Sequence, residues 1–292
     1  MLKKRVKKMK TQTLLIYFFF SLLVSFSCEA STRSLKIEDD GFVATYYSSE
    51  SQERKVGVLV LGGSEGGVPE KLASPIVEAG FPTLALAYFK EEGLPPELER
   101  IPLEYVIQAM SWLKSQPETT PDNIIVVGWS KGAELSLLLA SKEPSISNVV
   151  AIAPSSVVWA GILKDWSKVP GSSWTYDGQD LAFVPFNPSG EVNGLLDLYT
   201  QSLENRADNG KANIPVQKIS ADVVLMTGEN DEIWPSPTMA ETVCEKMNAR
   251  TKHKCKHINY QGADHLLNYE FLKEGSDMNQ TFIKMLTNHN NH

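Results

Sequence analysis

The sequence predicts an α/β fold in which helices flank a mostly parallel central sheet. The first observation is a series of short, β-branched or continuously apolar runs, which are typical of strands buried on both faces of a parallel sheet. These runs lie at residues 56–61, 83–88, 124–127, 148–153 and 222–226. A further run at 42–48, "FVATYYS", suggests an early edge strand.

The second observation is helical periodicity between these runs. From Pro102 to Ser115, apolar residues recur at spacings of three and four and form one apolar helix face. Similar patterns occupy 131–142, 237–249 and 274–287. Alternating strands and helices imply right-handed crossovers. With 292 residues and 42% hydrophobic content, we expect one domain with a single large core over 31–292.

Residues 159–215 interrupt this alternation. They contain Trp159, Trp166 and Trp174, several glycines and prolines, and a weak helical pattern near 194–206. Long insertions in compact domains usually have a function. Because the segment precedes the strand at 222, we expect a cap over an edge of the sheet.

The amino terminus has the pattern of a secretory signal peptide. Six basic residues in the first ten are followed by a 13-residue apolar run, which is too short for a comfortable membrane span. We predict a signal peptide at residues 1–27 that is processed in one of two ways: by lipidation of Cys28, or by cleavage after Ala30. The mature chain is then periplasmic or a membrane-anchored lipoprotein. Removal of residues 1–27 moves the formal net charge from −7 to −13, which excludes the basic face that nucleic-acid binding needs.

The two remaining cysteines, Cys244 and Cys255, are candidates for a disulfide, since disulfides persist in oxidising compartments. Two buried free thiols are the alternative. The motif "HKCKH" places His253 and His257 around Cys255, and these are zinc-ligand types. The usual fourth ligand and loop spacing of zinc sites are absent. We therefore predict that this motif is the solvent-exposed start of a strand, and we predict no metal and no cofactor.

The stretch "GWSKG" satisfies the pattern G-x-S-x-G, with Ser130 between Gly128 and Gly132. Alone the pattern is weak, and its serine could be only a turn residue. Here a strand-like run precedes it and a helical pattern follows at once, which is the context of a nucleophile elbow. Elbow glycines allow close backbone approach around a strained serine. The sequence therefore predicts an α/β-hydrolase fold with Ser130 as nucleophile.

A serine hydroxyl needs a base, and in this fold the acid and the histidine follow the serine along the chain. The histidines are 253, 257, 265, 289 and 292. His265 lies in a glycine-containing loop after a strand and is the predicted base. Asp231, in the loop after the strand at 222, is the predicted acid, because carboxyl ends of strands form the sites of α/β proteins. Glu229 and Asp264 are the competing carboxylates.

An oxyanion hole needs two donors. The backbone N–H of Lys131, directly after the nucleophile, is the first. The second is expected from Ser64 or Glu65 in the glycine-rich loop "LGGSEGG" at 61–67. A phosphate-binding loop is the alternative, but the Lys-Ser/Thr ending and the glycine spacing of the known fingerprints are missing.

Seven segments occur in an order that resembles the carboxyl-terminal catalytic domain of acyl-CoA thioesterases and bile acid-CoA:amino acid N-acyltransferases. The resemblance runs from about Val56 to His265. The segments are "LGGSEGG", "FPTLALAYF", "LEYVIQAMSWL", "GWSKGAELSLLLAS", "TYDGQDLAFVP", "IPVQKI" and "GENDEIWPS". The family implies a Ser/Cys–Asp–His triad, which maps onto Ser130, Asp231 and His265.

Two departures separate the chain from its eukaryotic relatives. Those proteins carry an amino-terminal β-sandwich domain, which the roughly 25 residues before the resembling region are too few to replace. They also act inside the cell, where CoA is found, whereas this chain is predicted to be exported.

Three functions are open. The favoured one is an exported serine hydrolase that cleaves an ester or thioester. The N-acyltransferases of the family use a cysteine nucleophile, so Ser130 favours hydrolysis. The others are an acyltransferase that uses the same acyl-enzyme, and a non-catalytic binding protein on a hydrolase fold.

Overall fold

The computed structural model describes residues 31–49, 53–249 and 252–287. The predicted signal peptide, Cys28, His289 and His292 lie outside these ranges. In the described part, no helix is long and apolar enough to cross a membrane.

Eight strands form the main sheet. In spatial order they are β1 Thr32–Leu35, β2 Val43–Tyr47, β4 Thr83–Ala87, β3 Lys55–Leu61, β6 Thr119–Trp129, β7 Ile146–Ile152, β10 Asp222–Gly228 and β11 Cys255–Tyr260. The pairs β1–β2 and β2–β4 are antiparallel, and every other neighbouring pair is parallel. The prediction of a mostly parallel sheet is therefore confirmed.

Helices cover both faces of the sheet. They are α1 Ile37–Asp40, α2 Glu70–Glu78, α3 Leu103–Lys114, α4 Lys131–Ala140, α5 Leu195–Glu204, α6 Ser236–Asn248 and α7 Asp277–Thr287. Two 3₁₀ segments lie at Val216–Lys218 and Leu267–Leu272. One apolar core packs α3, α4 and α6 against the sheet, and a second packs α2 and α7 against the opposite face. All ten residues of α4 are buried.

The run at 42–48 is not an edge strand. It forms β2, which lies between β1 and β4, and β1 takes the outer place. The sequence of β1, "TRSL", has three exposed residues and one buried residue. Because it lacks an apolar alternation, nothing in its pattern marks it as a strand.

The segment at 159–215 packs against the loop that follows β10, which is an inner strand of the main sheet. It contains two short strands, β8 Trp174–Tyr176 and β9 Gln179–Asp180, and α5. These two strands pair beside β5 Ile101–Pro102 and form a small three-stranded sheet in the order β5, β8, β9. Trp159 and Tyr199 pack with Trp234 from the loop after β10, so this segment is anchored beside the carboxyl edge of the sheet.

Candidate active site

The turn between β6 and α4 presents Ser130 in a strained conformation. Its φ and ψ are 54° and −116°, outside the regions that L-residues normally occupy. Its backbone N–H donates to the carbonyl of Ile152 at 2.8 Å, which ties the turn to the end of β7. Strain of this kind persists only where the surrounding structure fixes it, and it is common at reactive residues.

The two elbow glycines are required by close packing. A Cβ atom at Gly128 would overlap the carbonyl of Gly132 and the Oγ of Ser136. A Cβ at Gly132 would overlap the carbonyl oxygens of Leu61 and Gly62. Backbone atoms cannot move aside as a flexible side chain can. Glycine at 128 therefore lets the end of β6 approach α4, and glycine at 132 lets α4 approach the end of β3 and the loop after it.

Ser130, His265 and Asp231 come together through hydrogen bonds. His265 Nε2 lies 3.0 Å from Ser130 Oγ. On the other side of the ring, Nδ1 lies 2.9 and 2.8 Å from the two carboxylate oxygens of Asp231. Asp231 and His265 are 5% and 4% exposed, so water competes little with the contact between them. The geometry allows the imidazole to accept the serine proton while the carboxylate fixes its orientation.

Asp231 is held by three further donors. Its Oδ1 accepts the backbone N–H of Ile233 at 2.9 Å and of Trp234 at 3.2 Å, and its Oδ2 accepts the hydroxyl of Ser236. The Trp234 ring also packs edge-on against the His265 ring, with centroids 5.8 Å apart. The carboxylate is therefore fixed by its own loop and by the start of α6.

The competing carboxylates are engaged elsewhere. Glu229 accepts the backbone N–H of Gly262, and Asp264 accepts those of Leu266 and Asn268. No described hydrogen bond joins either carboxylate to the ring of His265.

Two other histidines lie away from the serine. His257 is bonded to Thr227 Oγ1 at 2.7 Å, and burial lowers its pKa. His253 lies 3.8 Å from Asp222. Neither is hydrogen-bonded to Ser130 in the described contacts.

The glycine-rich loop after β3 lies against the elbow. A Cβ atom built at Gly63 would be 3.2 Å from Ser130 Cβ. Tyr88 holds this loop in place, because its hydroxyl donates a hydrogen bond to the carbonyl of Gly62. Burial raises the pKa of Tyr88 well above its ordinary value, so the phenol keeps its proton. Ser64 and Glu65 both line the cavity that contains Ser130.

The predicted first donor is the backbone N–H of Lys131. Lys131 is the first residue of α4, where a backbone N–H has no acceptor within the helix. Such amino ends favour negative charge. The N–H of Lys131 and that of Ser64 or Glu65 remain the predicted oxyanion donors.

A buried ion pair lies directly behind the nucleophile. Lys131 Nζ donates to Glu134 Oε2 at 2.7 Å, with side chains 1% and 0% exposed. Glu134 Oε1 accepts the backbone N–H of Trp159 at 3.1 Å and the indole N–H of Trp174 at 2.7 Å. Burial raises the pKa of Glu134 and lowers that of Lys131, and the pairing opposes both shifts. The pair thus connects the elbow helix to the insertion.

Two cavities lie at or beside the site. One, of about 720 Å³, is lined by Ser130, His265 and Trp129 among others. The other, of about 470 Å³, is lined mainly by apolar residues of the insertion, including Phe186 and Tyr199. Residues that line both cavities are Ser64, Leu195 and Ile233. The two cavities therefore adjoin beside the glycine-rich loop.

Cys244 and Cys255 form a disulfide that joins the last part of α6 to the start of β11. Cys255 is therefore not a thiolate ligand, and His257 already contacts Thr227. Within the described ranges, no group of three or more His, Cys, Asp or Glu residues is arranged to hold a metal ion.

Several supporting residues were not anticipated from the sequence: Tyr88, Glu134, Trp234 and Ser236. Trp234 and Ser236 occur in the "IWPS" segment that contributes to the family resemblance, so a signal was present without a role attached. Glu134 follows Lys131 at a spacing of three, which usually indicates a solvated surface pair. Tyr88 lies in the resembling segment "FPTLALAYF", again without a role attached to it.

Comparison with known structures confirms the α/β-hydrolase fold. The dienelactone hydrolase of Anabaena variabilis superposes with a TM-score of 0.51 at 15% identity, over 89% of this chain and 96% of that one. At this identity the likeness extends to the fold alone.

Two mouse proteins are similar in sequence. Acyl-coenzyme A amino acid N-acyltransferase 2 is 30% identical over 217 residues, which is 72% of this chain and 49% of that protein. The mitochondrial acyl-coenzyme A thioesterase 2 is 29% identical over 214 residues, covering 72% and 45%. The chain thus spans about half the length of the relatives it matches. Residues 101–284 match the family described as BAAT / Acyl-CoA thioester hydrolase C terminal. The chain belongs to this family.

Proposed function

We propose that the chain is a serine hydrolase that cleaves an acyl ester or thioester through an acyl-serine intermediate. The observation that carries this proposal is the continuous hydrogen-bonded line from Ser130 through His265 to Asp231. Ser130 Oγ attacks the acyl carbonyl carbon, and its proton passes to His265 Nε2. The imidazolium then protonates the leaving oxygen or sulfur, and its bond to the acyl carbon breaks.

Water completes the reaction. It attacks the acyl-serine carbonyl and gives a proton to His265. The tetrahedral intermediate then collapses, the bond between the acyl carbon and Ser130 Oγ breaks, and the imidazolium returns its proton to Oγ, which releases the free acid. Asp231 holds the imidazole by accepting its Nδ1–H throughout. The N–H of Lys131 and that of Ser64 or Glu65 stabilise the oxyanion, and one such donor contributes about 2.7–4 kcal/mol in comparable sites.

A hydrolase panel with matched serine variants tests this proposal. Short aryl esters, long acyl esters and acyl-CoAs are assayed with Ser130→Ala and with Ser74→Ala. Ser74 lies exposed on α2 and serves as the control. We expect Ser130→Ala to lose on the order of 10³-fold or more of the turnover of whichever substrate is cleaved, while Ser74→Ala keeps it. Retained turnover in Ser130→Ala would refute the assignment of the nucleophile.

Acyl transfer is the second candidate, because one relative is named an N-acyltransferase. The same acyl-serine would be attacked by an amine or alcohol in place of water. Product analysis with added amino acids and alcohols decides between the two. Free acid as the sole product in the presence of these acceptors supports hydrolysis, and an amide or a new ester supports transfer.

We also propose that the chain is exported, and that Cys28 is the lipidation candidate. The support is the basic and apolar leader together with the Cys244–Cys255 disulfide, since such bonds persist outside the reducing cytosol. Labelling cells with a palmitate analogue tests the anchor. Label that is lost in Cys28→Ala supports lipidation, and a membrane-free, unlabelled protein contradicts it.

A further inference from the structure

The charges around the cavity of Ser130 are mostly negative. Three carboxylates, those of Glu65, Glu70 and Glu232, line this cavity, against a single ammonium, Lys71. Neither of the two cavities is lined by a described arginine. The surroundings of the nucleophile therefore carry a net negative charge, in a chain that is acidic as a whole.

The other nearby cations lie outside the lining of the Ser130 cavity or face a carboxylate. Lys90 is not among the lining residues, and its Nζ donates to the backbone carbonyl of Glu65 at 2.8 Å. The ammonium of Lys131 is buried against Glu134. In the insertion cavity, Lys168 lies 3.9 Å from Asp165, so its charge is balanced. A phosphate at either cavity would meet few unpaired positive groups among the described residues.

Besides the amino end of α4, which faces the reacting carbonyl, the glycine-rich loop is a backbone feature of this cavity that could attract an anion. Successive N–H groups in such a loop can form a concave anion site. Here the loop is engaged by its own carboxylate, because Glu65 Oε1 accepts the N–H of Gly63 at 2.9 Å. An incoming phosphate would have to displace this internal anion or lie beside it.

Recognition of nucleotide thioesters requires the opposite arrangement. Coenzyme A carries a diphosphate and a 3′-phosphate, and proteins hold phosphates with arginine forks, lysines or free backbone N–H groups. Carboxylates nearby repel these groups, and salt weakens the repulsion. The cavity of the insertion has mainly apolar walls that suit an acyl chain, and its one lining ammonium, Lys168, faces the carboxylate of Asp165.

We infer that the site takes acyl esters or thioesters whose leaving group is uncharged or cationic, with the acyl group in the insertion cavity, and that it discriminates against coenzyme A as leaving group. This inference rests on the proposed serine hydrolase function. It assigns to Glu70 and Glu232, which lie outside the triad, a part in selecting the leaving group by charge.

The test compares thioesters that differ only in the nucleotide. One acyl group is attached to pantetheine and to coenzyme A, and kcat/KM is measured at low and high NaCl. We expect acyl-pantetheine to be favoured at least about tenfold at low salt, with the ratio falling in 0.5 M NaCl. Equal or better turnover of acyl-CoA at low salt would overturn the inference and leave the serine hydrolase intact.

A charge-reversal variant distinguishes electrostatic repulsion of the coenzyme A phosphates from poor steric fit of the nucleotide. Glu70→Lys lies at the cavity, and Glu78→Lys lies at the far end of the same helix α2. We expect Glu70→Lys to lower the ratio of kcat/KM for acyl-pantetheine to that for acyl-CoA by severalfold. Glu78→Lys, the matched control, should leave this ratio unchanged. An equal response in both variants, or none in either, contradicts selection by local charge.

A binding assay applies if neither thioester is turned over. The rate at which a fluorophosphonate labels Ser130 is measured with desulfo-CoA or pantetheine present. We expect 1 mM desulfo-CoA to leave the labelling rate unchanged. If desulfo-CoA slows the labelling of Ser130 and pantetheine does not, the inference is overturned. Failure of Ser130 to react at all refutes the proposed function itself.

Discussion

Loss of one partner of the buried Lys131–Glu134 pair should destabilise the fold strongly. Glu134→Gln keeps an amide oxygen for the N–H groups of Trp159 and Trp174, but removes the charge opposite Lys131 Nζ, 2.7 Å away. Because the ammonium is 1% exposed, water cannot replace the carboxylate. Breaking a buried pair on one side costs about 3–5 kcal/mol. Lys131→Met should cost a similar amount, since it leaves the carboxylate buried without its cation.

The double variant Lys131→Met/Glu134→Gln isolates the cause. It removes both charges and retains the acceptor for the two tryptophan N–H groups, so we expect it to lie within about 2 kcal/mol of the wild type. It should therefore be more stable than either single variant, which is a strong departure from additivity. Urea unfolding followed by tryptophan fluorescence measures all three free energies of unfolding.

An exposed pair with the same spacing provides the control. Glu270 and Lys273 lie 3.7 Å apart with side chains 43% and 71% exposed. Glu270→Gln should change the free energy of unfolding by less than about 1 kcal/mol. If Glu134→Gln were equally mild, or if the double variant were simply the sum of the singles, burial of this ion pair could not be what joins the elbow to the insertion.

Three other predictions follow from the site and its frame. Asp231→Asn should lower kcat by about 10³–10⁴-fold with little change in the far-ultraviolet spectrum, because the imidazole loses the carboxylate that orients it; a loss below tenfold contradicts its role. Gly132→Ala should destabilise by about 1–3 kcal/mol or more, as its methyl group would meet two carbonyl oxygens, whereas Gly190→Ala, with no atom nearer than 3.8 Å, is the neutral control in thermal unfolding. Reduction, or the Cys244→Ser/Cys255→Ser variant, should lower the free energy of unfolding by about 2–3 kcal/mol without abolishing ester turnover; unchanged stability with and without reductant argues against the bond.

The sheet and the elbow were predictable from the sequence because their signals are local. Buried parallel strands appear as continuous apolar runs, and "GWSKG" follows one of them directly. Asp231 and His265 were predictable from chain order and from their loops at the ends of strands. The structure brings both residues to Ser130.

The outer strand β1 and the buried Lys131–Glu134 pair could not be predicted, because they depend on contacts between segments that are distant in the chain. The strand β1 has one buried residue in four and was invisible as a pattern. Lys131 and Glu134 would form an ordinary surface pair on an isolated helix; they are buried because residues of the insertion, Trp159 and Trp174, pack over them. Periodicity cannot report such burial, because the covering residues lie 25 and 40 positions away from Glu134 in the chain.

The most direct test of the central claim is to identify the residue that a fluorophosphonate modifies. The folded protein is labelled, digested and mapped by mass spectrometry, beside His265→Ala and a sample unfolded in urea. Ser130 should carry the adduct in the folded wild type, and labelling should fall by orders of magnitude in both controls, because the hydroxyl reacts only with the imidazole 3.0 Å away. An unlabelled Ser130 in folded protein, or labelling that persists without His265, would contradict a Ser–His–Asp hydrolase.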